Sequence, residues 1–192
     1  MRCVYNAVMR YIICAFKGEA HPLINHFNLT RTTGFAYPLY QNENTLLIIT
    51  HMGYENALMA TSALLGYRPP EPDDLLINVG ICAAPKSFEI GELIVIHKIS
   101  YNAHDLYPMF LVKHPFMHSA LISVDTVQST MQSLPVDMEA HAIFKASARF
   151  MPSDQMLFIK IVSDHFDPKS VNKNAVTRSI QAHLSNIEML MA

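Results

Sequence analysis

The stretch Val136-Asp137-Met138-Glu139-Ala140 decides how this chain is read. It stands where an irregular, proline-bearing segment, Ser133-Leu134-Pro135, gives way to a helical pattern. The spacing of Ala140, Ile143, Phe144 and Ser147 predicts a helix over residues 138–148 with those four side chains on one face. Glu139 then falls in the first turn or just before it, where the positive end of the helix dipole favours a carboxylate. A capping acid needs nothing more than that. A buried carboxylate beside a methionine needs a polar partner from elsewhere in the chain.

Outward from this stretch, short apolar runs alternate with helical ones. Residues 11–16, 45–50, 75–80, 93–99, 121–124 and 157–162 have the continuous apolar character of strands, several of them buried on both faces. Residues 35–40 read as a further strand. Residues 20–27, 54–65 and 174–191 read as helices, and residues 126–131 as a short helix or loop. Pro69, Pro70 and Pro72 end the second helix and reset the chain. Ile81-Cys82-Ala83-Ala84 reads as a small-residue turn that lets a ligand approach the backbone. Residues 101–118, aromatic and rich in histidine, match neither period. The alternation predicts a single α/β domain with a mostly parallel central sheet flanked by helices. Its expected extent is 9–192. Residues 1–8 read as an N-terminal extension without the apolar core of a signal peptide, and Met9 is a candidate start.

Composition narrows the function. The 192 residues suffice for one ample core; 51% are hydrophobic and 16% charged, yet no apolar run approaches the roughly 18 residues of a membrane span. Three cysteines, Cys3, Cys14 and Cys82, are an odd number without metal spacing, as expected of a reduced, cytoplasmic protein. A net charge of −2 without a basic cluster argues against nucleic acid as a partner. The ten histidines include no metal-binding motif, so neither metal nor cofactor is expected. A nucleophilic Cys82 lacks any diagnostic surrounding motif, and a small buried cysteine is the plainer reading.

Three acids stand where strands end or helices begin: Glu19, Glu139 and Asp164. In open α/β sheets the carboxyl edge of the strands is where ligands bind. Cleavage of a glycosidic bond through an oxocarbenium-like state needs such a set: an acid for the leaving group, a base for the nucleophile, and an anchor for the sugar hydroxyls.

Several motifs, taken in order, resemble the nucleoside phosphorylase/nucleosidase superfamily, and most closely its methylthioadenosine/S-adenosylhomocysteine nucleosidases. Residues 11–19 resemble the first strand and its glutamate loop. Residues 76–84 resemble the strand and turn that the family writes close to I-N-T-G-S-A-G-G. Ile90-Gly91-Glu92-Leu93-Ile94-Val95 is similar to K-V-G-D-I-V-V, and residues 136–143 to V-E-M-E-A-x-A-I. Ile161-Val162-Ser163-Asp164 is similar to A-I-S-D. The resemblance implies a partly barrel-like sheet of the phosphorylase/hydrolase type, a homodimer, and hydrolysis of the N-glycosidic bond of an adenine-type nucleoside. It makes Asp164 the acid that protonates the purine at N7, with Ser163 orienting it. Glu139 would hold the ribose hydroxyls, Met138 would pack on the sugar, and Glu19 would position or deprotonate water. Phe16, Gly80, Ile81 and Val127 complete the implied substrate-binding set.

The departures carry information too. Phosphorylases of the superfamily have Arg at the position of Asn78 and Ser at that of Ile81, both for phosphate, so water is the expected nucleophile here. Ile81, Ala83 and Ala84 narrow the turn, Val127 stands where the family often has a base-stacking Phe, and Asp137 replaces a Glu. Residues 105–118 are shorter than the family's substrate-covering region. Asn78-Val79-Gly80-Ile81 and Val136-Asp137-Met138-Glu139 also resemble futalosine hydrolase, which tends to have Asn at the Asp164 position. The same resemblance leaves room for a purine nucleoside phosphorylase, and for a relative that binds a nucleoside without cleaving it.

Overall fold

A computed structural model describes residues 8–109 and 112–191. The expected N-terminal extension, with Cys3, lies outside the described residues except for Val8, and so do Phe110 and Leu111.

The first strand β1 (Arg10–Cys14) leads directly into helix α1 (Lys17–His26). An edge hairpin of β2 (Thr30–Thr32) and β3 (Leu39–Gln41) precedes β4 (Thr45–Ile49) and α2 (Tyr54–Tyr67). Then come β5 (Leu75–Ala83), β6 (Leu93–Tyr101), β7 (His104–Leu106), β8 (Met117–Ser123) and the two-residue β9 (Val136–Asp137). Helix α3 (Ala140–Ser147), strand β10 (Met156–Asp164) and helices α4 (Lys173–Ala182) and α5 (Leu184–Leu190) complete the described chain.

All the described strands share one sheet, in the order β10-β6-β8-β9-β5-β1-β4-β3-β2, with β7 beside β6. β10 also pairs with β5, so β10, β6, β8, β9 and β5 close into a small barrel from which β1 and β4 extend as an open sheet. Parallel pairings join β4, β1, β5 and β10 at the centre, and β6, β8 and β9 on the far side. Antiparallel pairings occur at the outer hairpin, at β6–β7, and where β6 meets β10 and β5 meets β9.

Alternation along the strands sends side chains to two cores. Tyr11 and Ile13 of β1 join Phe158 of β10 against Ala57, Ala60 and Leu64 of α2 and Ile143 and Phe144 of α3. Ile12 and Cys14 join Val79, Ile159 and Ile161 against Ala20 and Leu23 of α1, Ile180 of α4 and Ile187 of α5. Helices therefore cover both faces, which is why β1, β4, β5 and β10 read as continuous apolar runs rather than alternating ones.

The elements differ from the sequence expectation at several points, each for a tertiary reason. Helix α1 begins at Lys17 rather than Ala20 and contains Pro22. A proline there cannot donate to the carbonyl of Gly18, four residues back, and the Thr177 hydroxyl of α4 lies 3.0 Å from it, sharing its one proton between Gly18 and the Lys173 carbonyl at 3.1 Å. The turn expected at residues 81–84 is instead the end of β5, held in the ladder because Cys82 pairs with Val162 and Ala83 with Val136. The helix expected over residues 138–148 starts at Ala140, with Glu139 as its N-cap. The helix expected over residues 174–191 breaks at His183, whose Nε2 reaches the Gly91 carbonyl at 2.7 Å. The strand expected at residues 35–40 is reduced to β3, and residues 126–131 are irregular. Among the described residues no helix is long and apolar enough to cross a membrane.

Thr177→Val keeps the shape of the side chain and strands the Gly18 carbonyl. The expected loss is about 1–3 kcal/mol of unfolding free energy, read from urea denaturation. An unchanged midpoint and slope would mean that water serves that carbonyl instead.

Candidate active site

A cavity of about 390 Å³ opens at the carboxyl ends of β1, β5 and β10. Phe16, Glu19, Ile81, Val127, Met138, Glu139, Ser163 and Asp164 all line it, so residues scattered over most of the chain are brought to one place. Gly80 lies beneath. A Cβ at that position would come within 3.1 Å of Glu19 Oε1 and 3.2 Å of Lys160 Nζ, so the absent side chain is what lets both groups rest on β5.

Glu19 folds back over the start of its own helix. Its Oε2 accepts from the N–H groups of Ala15 (2.8 Å) and Phe16 (3.2 Å), and its Oε1 from that of Ile81 (3.0 Å). The carboxyl group is thus fixed by the β1–α1 junction and by β5. Burial is the main influence on its proton affinity. With the nearby Glu139 charge adding to it, burial outweighs Lys160 and the amide bonds and pushes the pKa up to about 7.

Lys160 of β10 is 1% exposed, and its ammonium lies 2.7 Å from Asp137 Oδ2. Asp137 is further held by the Ser123 hydroxyl on Oδ1 (2.6 Å) and the Ala140 N–H on Oδ2 (2.9 Å). Burial alone would pull the lysine down, but the carboxylates of Asp137, Glu139 and Glu19 outweigh it and hold the ammonium above its ordinary range. Glu139 accepts from the Gly53 N–H on Oε1 (2.8 Å) and from the Met138 N–H on Oε2 (3.3 Å). Gly53 has φ +101°, a conformation suited to glycine, and this turns its amide toward the cavity. Burial first, and then the charge of Asp137, raise the Glu139 pKa above the usual carboxylate range.

Asp164 reaches the cavity through an irregularity. The register of β10 on β5 shifts between Val162 and Asp164, so Ser163 is the extra residue of a bulge. The Ser163 Oγ lies 2.5 Å from Asp164 Oδ1 and 3.1 Å from the Cys82 carbonyl. A hydroxyl has one proton to give, so the Ser163 Oγ sits between two acceptors and donates to one of them at a time.

Lys160 and the role of Asp137 escaped the sequence reading. The available signal was a lysine inside the apolar run Leu157-Phe158-Ile159-Lys160-Ile161-Val162, where a charge demands a buried partner. Met52 and Gln128, which also line the cavity, carried no comparable signal. Cys82 lines it as well, but burial pushes its thiol up to about 12, so the thiolate a nucleophile needs is not formed. Among the described residues no group of three or more His, Cys, Asp or Glu side chains is placed to hold a metal ion.

No family model matches the chain, and no curated protein matches it. Solved structures do. The 5′-methylthioadenosine nucleosidase of Arabidopsis thaliana, in apo form, superposes with a TM-score of 0.76 at 18% identity over 96% of each chain. The 5′-methylthioadenosine/S-adenosylhomocysteine nucleosidase of Colwellia psychrerythraea, in complex with adenine, gives 0.74 at 17% identity over 96% of this chain and 95% of that one. Futalosine hydrolase of Helicobacter pylori gives 0.72 at 13% identity over 96% and 97%. The fold, with its partial barrel, is the one these nucleoside-cleaving enzymes share.

Lys160→Met removes the cation and leaves Asp137 without its ion-pair partner inside the sheet. The expected cost is about 3–5 kcal/mol of stability, measured by denaturant unfolding. A variant as stable as the parent would show that protons alone neutralise the cluster.

Proposed function

We propose that this protein hydrolyses the N-glycosidic bond of an adenine-type purine nucleoside, such as methylthioadenosine or S-adenosylhomocysteine. One observation carries the reading. The cavity presents Glu19, Glu139 and Asp164 on otherwise largely apolar walls, and among the described residues no Lys or Arg lines it. Lys160, the cation beside Glu19 at Gly80, is buried and already paired with Asp137. A phosphate dianion would meet carboxylates and no free positive charge, which favours water as the nucleophile.

In this reading Asp164 gives its proton to N7 of the base as the bond from the anomeric carbon to N9 breaks and its electron pair goes to the purine. Positive charge grows on the sugar, where the Glu139 carboxylate holds the hydroxyls and opposes that charge. Glu19 takes a proton from water as the water oxygen bonds to the anomeric carbon. The products are free base and free sugar, and solvent returns the proton from Glu19 to Asp164. A protonated carboxyl group offers one donor and one acceptor, which matches N7 and the 6-amino group of adenine. A 6-oxo group would set acceptor against acceptor, so the adenine-type substrate is preferred over futalosine. The carboxylate-rich lining also disfavours a 5′-phosphate and suits a neutral 5′ substituent.

Nucleosides assayed with and without phosphate should release base at the same rate and yield free sugar. Asp164→Asn should lower turnover by about 10²–10⁴-fold in a folded protein, the usual weight of general acid catalysis. Formation of a sugar 1-phosphate would replace hydrolysis with phosphorolysis. Because Glu19 must be ionised to accept a proton and holds its own proton up to about pH 7, kcat/KM should fall as pH drops below about 7. A profile flat down to about pH 5 would remove Glu19 from the role of base.

A further inference from the structure

Glu139 takes one of its amide bonds from a turn far away in the chain. Residues 50–53 join β4 to α2, and two of the four have positive φ, His51 at +67° and Gly53 at +101°. With ψ at 156°, Gly53 lies in a backbone region essentially reserved to glycine. A Cβ there would meet nothing within 4 Å, so glycine is needed for its conformation and not for room. His51 carries its Cβ into the left-handed region, which is unfavourable for an L-residue. Such a turn persists only where its surroundings over-determine it.

Two side chains hold this one. The Thr50 hydroxyl lies 2.8 Å from the His51 carbonyl and 3.4 Å from the Cys14 carbonyl. The Cys14 carbonyl already accepts from the Thr50 N–H at 2.9 Å, so the shorter contact to His51 takes the hydroxyl proton. Asn56, in the first turn of α2, donates from Nδ2 to the Met52 carbonyl at 2.8 Å. That carbonyl and the Gly53 N–H belong to one planar peptide unit and point in opposite directions. Holding the oxygen therefore sets the line along which the N–H meets Glu139 Oε1, also at 2.8 Å. Met52 lines the cavity and Asn56 stands behind it, outside the lining.

We infer that Asn56 is a positioning residue for the sugar, acting through the Met52–Gly53 peptide to hold Glu139 where it binds the ribose hydroxyls. This rests on the assignment of Glu139 as the ribose anchor. The effect of Asn56 reaches the substrate through one peptide plane and one carboxylate. It belongs to substrates that carry the hydroxyls and is absent from those that lack them.

The test is the ratio of kcat/KM for adenosine over 2′,3′-dideoxyadenosine in the wild type, Asn56→Ala, Asn56→Asp and Glu139→Gln, with a thermal melt of each. Asn56→Ala removes the donor and should lower the ratio about 2- to 10-fold, the weight of one hydrogen bond. Asn56→Asp sets a carboxylate against the Met52 carbonyl and should lower the ratio further. An acid in the first turn of a helix is favoured by the dipole, so Asn56→Asp should melt no lower than Asn56→Ala. A residue that served only the start of the helix would follow the melting order and leave the ratio alone. Glu139→Gln, which weakens the anchor directly, should lower the ratio as well. A ratio that falls in Glu139→Gln but keeps its wild-type value in both Asn56 variants overturns the inference and leaves the ribose anchor standing. A ratio unchanged in Glu139→Gln removes the anchor, and the inference with it. A wild type that cleaves neither nucleoside overturns both.

Discussion

Lys160 places an ammonium group inside a strand that is otherwise apolar, and three acids from three other elements gather round it. Asp137 comes from β9, Glu139 from the N-cap of α3 and Glu19 from the first turn of α1. An ion this deeply buried is tolerated only when its partners are close and are themselves hydrogen-bonded. Asp137 meets that condition at 2.7 Å, with Ser123 and Ala140 occupying its remaining positions. One cation does not balance three carboxylates. Burial first, and then the repulsion among the acids, shift Glu19 and Glu139 upward, while the same acids hold the lysine charged. The raised proton affinity of Glu19 is thus a consequence of where the fold buries it.

Each of the two acids nearest the lysine pair is immobilised by backbone amides rather than by flexible side chains. Three N–H groups hold Glu19 and two hold Glu139. Backbone donors cannot swing away, so little reorganisation accompanies a charge change at the cavity. Asp164 is treated differently: its neighbour is a hydroxyl that can turn between Asp164 and the Cys82 carbonyl. The cavity therefore combines two carboxyl groups held by rigid backbone donors with one held by a side chain.

Much of this was legible in the sequence, and the omissions follow a pattern. Apolar runs located the main strands because burial on both faces leaves a continuous signature, and Glu19, Glu139 and Asp164 were legible as acids at strand ends or helix starts. Boundaries failed where a distant partner decides them: His183 leaves the helix to bond Gly91, and Ile81–Ala83 stay extended to pair with β10 and β9. Lys160 was passed over because an apolar run was read as a strand before its one charge was asked to find a partner.

The barrel has a consequence for how the molecule is made. β10 is the last of the described strands in the chain, yet it lies between β5 and β6. A nascent polypeptide that has not yet extruded residues 156–164 has every other stave of the barrel but not the one that joins them. Over that interval Leu76, Ile77 and Val79 sit on an unpaired strand edge, and Glu19, Asp137 and Glu139 await a cation still inside the ribosome. Translation, more than the finished molecule, is then the stage at which edge-to-edge association competes with folding.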